Sequence, residues 1–158
     1  MFDREFDEFM SDLGRILHKY EMAKASGDFV YLEVSEYEEL FDQYFTTGDF
    51  DQAVKLIQAG CKIYPYAGSL SLKHAEVMLE LGQLSEAEEW LDISESLQPN
   101  DLQITLNRAD LLAMRDKHHE AILLVNDRLK SASQAEAVEL YIELADIYED
   151  VEHYVEVI

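Results

Sequence analysis

The chain has 158 residues, 48% of them hydrophobic, with 34 acidic and 12 basic side chains and a formal net charge of -22. That length supports one domain with a sizeable buried core. The charge repels phosphate backbones and anionic bilayers, so neither nucleic acid nor membrane is an expected partner, and basic partners are favoured for encounter.

Only two prolines and six glycines interrupt the chain, which leaves room for long helices. Cys61 is the sole cysteine, so no intrachain disulfide can form, in keeping with a reducing compartment. The opening Met1-Phe2-Asp3-Arg4-Glu5 has no signal-peptide core, and no apolar run approaches membrane-spanning length. A cytoplasmic protein is the expectation.

In chain order, the spacing first predicts a helix over residues 1–26. Phe2, Phe6, Phe9, Leu13, Ile16 and Tyr20 recur at steps of three and four and line one face, widened by Met10 and Leu17. This stripe suits either packing on the next helices, as a cap to the domain, or a coiled-coil contact between copies. Packing is the expectation. Ser26-Gly27-Asp28 ends the helix. Phe29 to Glu33 reads as an extended connector, and residues 1–33 form a capping segment. Ser35 with Glu38 resembles a capping box for a second helix.

From there the chain repeats at a step of 34 residues. Ala53, Ala87 and Ala121 align, as do Phe41, Ala75 and Ala109. Gly48 and Gly82 align with Asp116, which also tolerates a tight turn, and Pro65 and Pro99 align with Ser133. Apolar columns follow at Tyr44, Met78 and Leu112, and at Ile57, Leu91 and Val125. Each unit reads as helix, two-residue turn, helix, short loop. The helices fall at 35–47 and 50–64, 69–81 and 84–97, and 102–115 and 118–131, with Asp49 and Asp101 as N-caps. After Ser133 the step slips by two residues. Tyr141, Leu144, Ala145 and Tyr148 then resume the pattern in a helix near 135–150. The units are 34–67, 68–101, 102–135 and a partial 136–158.

The small residue of each first helix, the turn glycine, the second-helix alanine and the closing proline make this pattern resemble the tetratricopeptide repeat (TPR) family, over about residues 34–158. Departures are Phe41 at a small site, Ser133 for proline, and Arg108 in a usually apolar column with Leu40. The resemblance implies an all-α fold: a right-handed superhelix of antiparallel helix pairs, a TPR-like α-solenoid, with the N-terminal helix packed on it. One helix pair cannot bury its apolar face alone, so pairs must stack.

In that family the first helix of each pair lines a concave surface. The residue after the small site is Asp42, Glu76, Asp110 and, after the slip, Asp146, acidic in every unit. Three residues on lie Phe45, Leu79, Ala113 and Glu149, and four residues before lie Glu38, Leu72, Leu106 and Ile142. The expected function is a noncatalytic protein–protein interaction scaffold whose groove takes a basic or amphipathic peptide or helix. Its contacts would be Glu38, Asp42, Phe45, Leu72, Glu76, Leu79, Leu106, Asp110, Ile142 and Asp146. The plainer alternative is that the carboxylates only solvate a helix face. Some TPR proteins instead hold acidic chaperone tails with lysine, asparagine and arginine. With only Lys73 and Asn107 near these carboxylates, that clamp is not expected.

No catalytic residue, metal or cofactor is expected. His118-His119-Glu120 places adjacent side chains about 100° apart on a helix, unsuited to holding one ion together. Cys61 reads as a buried small hydrophobe, and Trp90 as packing rather than an anchor. Tyr154, Val155, Val157 and Ile158 read as the start of a partner helix. The chain is therefore expected to continue as a longer repeat protein. The alternative is self-assembly, a homo-oligomer formed through this C-terminal end or through the N-terminal helix.

Overall fold

The computed structural model describes residues 11–157, with side chains as far as His153. Among these residues the chain forms eight α-helices and no strand: α1 (Asp12–Ser26), α2 (Val34–Thr46), α3 (Phe50–Ile63), α4 (Gly68–Glu80), α5 (Leu84–Leu97), α6 (Leu102–Met114), α7 (His118–Leu129) and α8 (Gln134–Val157). Phe2, Phe6, Phe9 and Met10 of the expected N-terminal stripe lie outside the described residues. Two compact units divide the chain between Lys73 and His74.

In the first unit, Ser11 caps α1 by accepting from the Gly14 N–H at 3.2 Å, and Gly27 ends it at φ 73°. Ile16 is buried, Leu13, Leu17 and Tyr20 are half-buried, and α1 packs on α2. Polar ties supplement that packing. The Tyr44 hydroxyl donates to Glu21 at 2.8 Å, and Lys24 donates to Gln52 at 2.9 Å. The expected Ser35–Glu38 capping box is displaced by two residues. Glu33 is the N-cap, and its N–H donates to the Glu36 carboxylate at 2.8 Å. The connector decides this. Leu32 is fully buried and its carbonyl accepts from the Tyr64 hydroxyl at 2.9 Å, so the chain is anchored there and the helix opens at once.

α2 and α3 form the first helical hairpin. Gly48 turns the chain at φ 76°, and the Asp49 carboxylate accepts from the Gln52 N–H at 3.3 Å to cap α3. Between the helices lie Tyr37, Leu40, Phe41 and Tyr44 from α2, and Ala53, Leu56, Ile57 and Cys61 from α3. Two fittings are particular to this copy. Phe41, at the small site, is fully buried and stacks on Phe45 with centroids 5.4 Å apart. Gly60 lets the Tyr37 ring lie against the α3 backbone, where an added Cβ would meet it at 3.0 Å.

In the second unit the same turn recurs as Gly82, φ 72°, and Asp116, φ 59°. A left-handed turn residue with a short polar side chain thus replaces glycine at tolerable cost. Asp101 caps α6, accepting from the Gln103 N–H at 2.8 Å. Ala87, Ala109 and Ala121 are fully buried, as are Leu91 and Val125. Burying each such leucine or valine contributes about 1.5–3 kcal/mol. Arg108 takes an apolar column's place by reaching α5, where it donates to Asp92 at 2.7 Å and Glu95 at 2.6 Å. Leu106, Ala109, Ala121, Val125, Leu140, Leu144 and Ile147 form the core of α6, α7 and α8.

The last helix departs from expectation in phase and length. α7 has 12 residues where α3 and α5 have 14, so α8 opens at Gln134, two residues before a 34-residue step from Leu102 would open it. Ser133 fixes that start: its hydroxyl accepts from the Glu136 N–H at 3.3 Å while its own N–H donates to the Glu136 carboxylate at 2.8 Å. Leu140, Leu144 and Ile147 turn inward, whereas Tyr141, Ala145 and Tyr148, expected to resume the inward pattern with Leu144, face outward. No second helix begins at Tyr154. α8 runs unbroken to Val157, because no glycine or proline interrupts it.

Candidate functional site

The acidic column is built differently in the two units. In the first, Asp42 on α2 is exposed but pairs with Lys73 of α4, whose ammonium also lies 5.2 Å from the Phe41 ring centre. Its charge is thus answered within the chain. Glu38 and Phe45 are half-buried, and Phe45 is held edge-on by Phe50, centroids 5.5 Å apart. In the second unit Glu76 is half-buried, Asp110 and Asp146 are exposed, and Ile142 is exposed. Leu72, Leu79 and Leu106, expected as apolar contacts for a partner, are each only 7% exposed. They belong to the core, as Leu106 does with Leu140 and Leu144, and leave little area to bury against a partner.

The second unit brings Asp110 and Asp146 together, with two further carboxylates that the repeat columns do not single out. Glu143 and Asp150 stand three residues before and four after Asp146, hence on one face of α8. All three act electrostatically on Asp110 of α6. Glu143 and Asp110 share a hydrogen bond in which protonated Glu143 donates. Burial, then the charges of Asp110 and Asp146, push the Glu143 carboxyl up to about 7; Asp110 keeps an exposed edge, but the packing of α6 and α8 desolvates its carboxyl and, with the Asp146 charge, raises it. Among the described residues no lysine or arginine pairs with any of the four.

This arrangement has a testable signature. A carboxyl whose pKa is raised by folding binds its proton more tightly in the native state. Its contribution is present in full below the ordinary value of 4.5 and is lost as pH rises through about 7. Glu143→Gln stays neutral throughout. Its stability relative to the parent should climb between pH 5 and pH 8 by about 1–2 kcal/mol, a figure reduced for partial exposure. Thermal melts across that range measure it, and a constant difference would dissolve the proposed coupling.

Other reactive groups are held in packing. Burial pushes the Cys61 thiol up to about 11, so it is no thiolate nucleophile near neutrality. Trp90 is half-buried and stacks on His74, with ring centroids 4.0 Å apart. Trp90 also borders an open depression of about 800 Å³ with Gly82, Leu84, Glu86, Glu89 and Ile93, which shares no residue with the carboxylate cluster. Among the described residues, no three His, Cys, Asp or Glu side chains are grouped to hold a metal ion, and no helix is long and apolar enough to cross a membrane.

The arrangement of helices has a counterpart among solved structures. The chain is similar to the NMR structure of the first TPR domain of the human RPAP3 protein, with a TM-score of 0.61 and 20% identity, over 74% of this chain and 91% of that one. The fold is that of a TPR domain. No family model matches the sequence, and no curated protein does. α2 with α3, α4 with α5, and α6 with α7 are successive helical hairpins, and α8 follows the last of them. Asp110 and the Glu143–Asp146–Asp150 face therefore stand on α6 and α8, which pack together.

Proposed function

We propose that this chain is a noncatalytic protein–protein interaction scaffold that holds a basic or amphipathic segment of a partner on the first-helix face of its TPR fold. The contacts are the carboxylates of Asp110, Glu143 and Asp146, with Ile142 as the apolar neighbour. One observation carries the reading. Four carboxylates gather where two helices pack, burial first and the neighbouring carboxylate charges second raise the pKa values of Asp110 and Glu143, and no basic side chain of the described residues pairs with any of the four. A lysine or arginine brought by a partner relieves this repulsion, so binding gains from charge the fold has already concentrated.

Glu76 belongs to the same reading as an outlying contact in the second unit, whereas Glu38, Asp42 and Phe45 would be contacts of the first unit's own α2 face. Asp42 contributes least, because Lys73 already answers it. The protein acts in the cytoplasm, without cofactor or metal.

The test is binding of an unstructured lysine-rich peptide to the full chain and to an Asp110→Lys, Asp146→Lys variant. Charge reversal should weaken binding at least about tenfold, and raising salt should weaken the parent's binding as the screening length shortens below about 8 Å. Both positions are exposed, so circular dichroism should show an intact fold. Equal affinity for parent and variant would end this reading.

A further inference from the structure

α6 and α8 differ in how much of their circumference the fold covers. On α6, Ile104, Leu106, Asn107, Ala109 and Leu111 are all buried, so packing surrounds much of the helix. On α8 the inward stripe is Leu140, Leu144 and Ile147 alone. A second apolar stripe remains outside. Val138, Tyr141, Ile142, Ala145 and Tyr148 follow one another at steps of three, one, three and three, which confines them to an arc of about 120° on the wheel. Val138 is 58% exposed, Tyr141 63%, Ile142 58% and Tyr148 51%. A helix surface with two apolar stripes is built to be packed from two sides, and only one is filled by the described residues.

The charge beside this stripe selects what covers it. α8 has 24 residues, of which eight are acidic and none is lysine or arginine. Glu139 and Asp146 border the stripe along one edge, and Glu149 and Glu152 stand at its C-terminal end. A second copy of the chain would bring the same carboxylates against these in either orientation, with no cation on α8 to answer them and a net charge of -22 on each chain. An amphipathic helix flanked by lysine or arginine meets both requirements at once. Its apolar side covers the stripe, and its flank pairs with Glu139 and Asp146.

We infer that the outward face of α8 is a docking surface for a basic amphipathic helix of a partner, with Tyr141 and Tyr148, one heptad apart, as its anchors. The inference rests on the proposed function for the sign of the partner's charge and shares Asp146 and Ile142 with it, but its anchors, Tyr141 and Tyr148, are different side chains. It makes the partner segment helical, about three turns long, with apolar residues at steps of three and four. Tyrosine suits such a place, since its ring supplies rigid contact area and its hydroxyl can bond to the flank of the incoming helix.

The experiment uses the full chain and three synthetic peptides: a leucine–lysine amphipathic helix, its glutamate-flanked equivalent, and a lysine–serine peptide of the same charge without an apolar side. The amphipathic basic helix should bind the parent. Tyr141→Gln with Tyr148→Gln should weaken it by about tenfold or more, as loss of two anchors does. The lysine–serine peptide should bind parent and variant alike. Both tyrosines are exposed, so helicity by circular dichroism should be unchanged. Equal binding of the amphipathic helix to parent and variant would overturn the inference while leaving the carboxylate reading, tested by charge reversal, intact. Equal binding of the glutamate-flanked helix would overturn it on charge. Dimerisation of the parent in sedimentation equilibrium, abolished in the tyrosine variant, would hand the stripe to a second copy instead.

Discussion

Replacing Phe41 with alanine should destabilise the first unit by about 3–5 kcal/mol, although alanine is the residue the repeat carries at the same place in its next two copies. A reading by columns alone points the other way. Ala75 and Ala109 align with Phe41, and restoring a consensus residue commonly stabilises. The packing reverses this. Phe41 is fully buried, stacks on Phe45, and lies beneath the Lys73 ammonium that pairs with Asp42. Truncation leaves a ring-sized cavity and removes the surface on which Lys73 rests. Urea unfolding followed by circular dichroism measures the loss, and a fall of about 10 °C in Tm should accompany it. A cost below about 1 kcal/mol would mean that the hairpin closes over the gap and that the small site is small in this copy too.

The same residue marks where columns stop being informative. Turn positions were legible because backbone stereochemistry admits few residues there. Gly48, Gly82 and Asp116 all adopt positive φ, and they fall in one column of the 34-residue step. The second-helix alanines were legible because helices that approach closely exclude larger side chains, and all three are fully buried. The start of α2 was not, since Ser35 with Glu38 is as good a local signal as Glu33 with Glu36. The choice was made by Leu32 and Tyr64, the second of them 31 residues away from Glu33. The phase of α8 was not legible either. A helix carrying two apolar stripes gives two equally periodic readings, and the outward one contains the more conspicuous tyrosines.

For the candidate site, the alternation of carboxylates at Asp110 and Asp146 was visible as a column, but their company was not. Glu143 and Asp150 are signalled only by helical spacing from Asp146, a signal that any acidic helix emits in quantity. Asp42 and Asp110 share a column, but Lys73, 31 residues after Asp42, pairs with Asp42 alone. Equal letters in a repeat thus carry unequal charge. Pairing is decided by neighbours that the repeat does not conserve, and the residual negative potential gathers where such a neighbour is missing.

His74 stands in the column of Leu40 and Arg108 and gives the second large effect. It is 2% exposed, its ring stacks on Trp90 with 23° between planes, and neither ring nitrogen has a hydrogen-bond partner among the described residues. Burial pulls its pKa down from 6.5 to about 4. The native state therefore binds this proton less readily than the unfolded chain. The stability contributed by neutral His74 is complete above pH 6.5 and is lost as pH falls toward 4, by about 3 kcal/mol in total. Glu143 works in the opposite direction between pH 4.5 and 7, but it is more exposed and its effect is smaller, so the acid limb should belong to His74. His74→Phe keeps a ring against Trp90 and removes the proton. Its stability relative to the parent should rise by about 3 kcal/mol from pH 7 to pH 4, whatever constant offset the larger ring adds. Parallel pH profiles for the two proteins would refute the assignment. Trp90 is the only tryptophan and reports on its stacking partner directly, since a protonated imidazole quenches indole emission. In the parent, below the denaturation temperature, that quench should be centred near pH 4. A midpoint near 6.5 would place the ring in water rather than in the core.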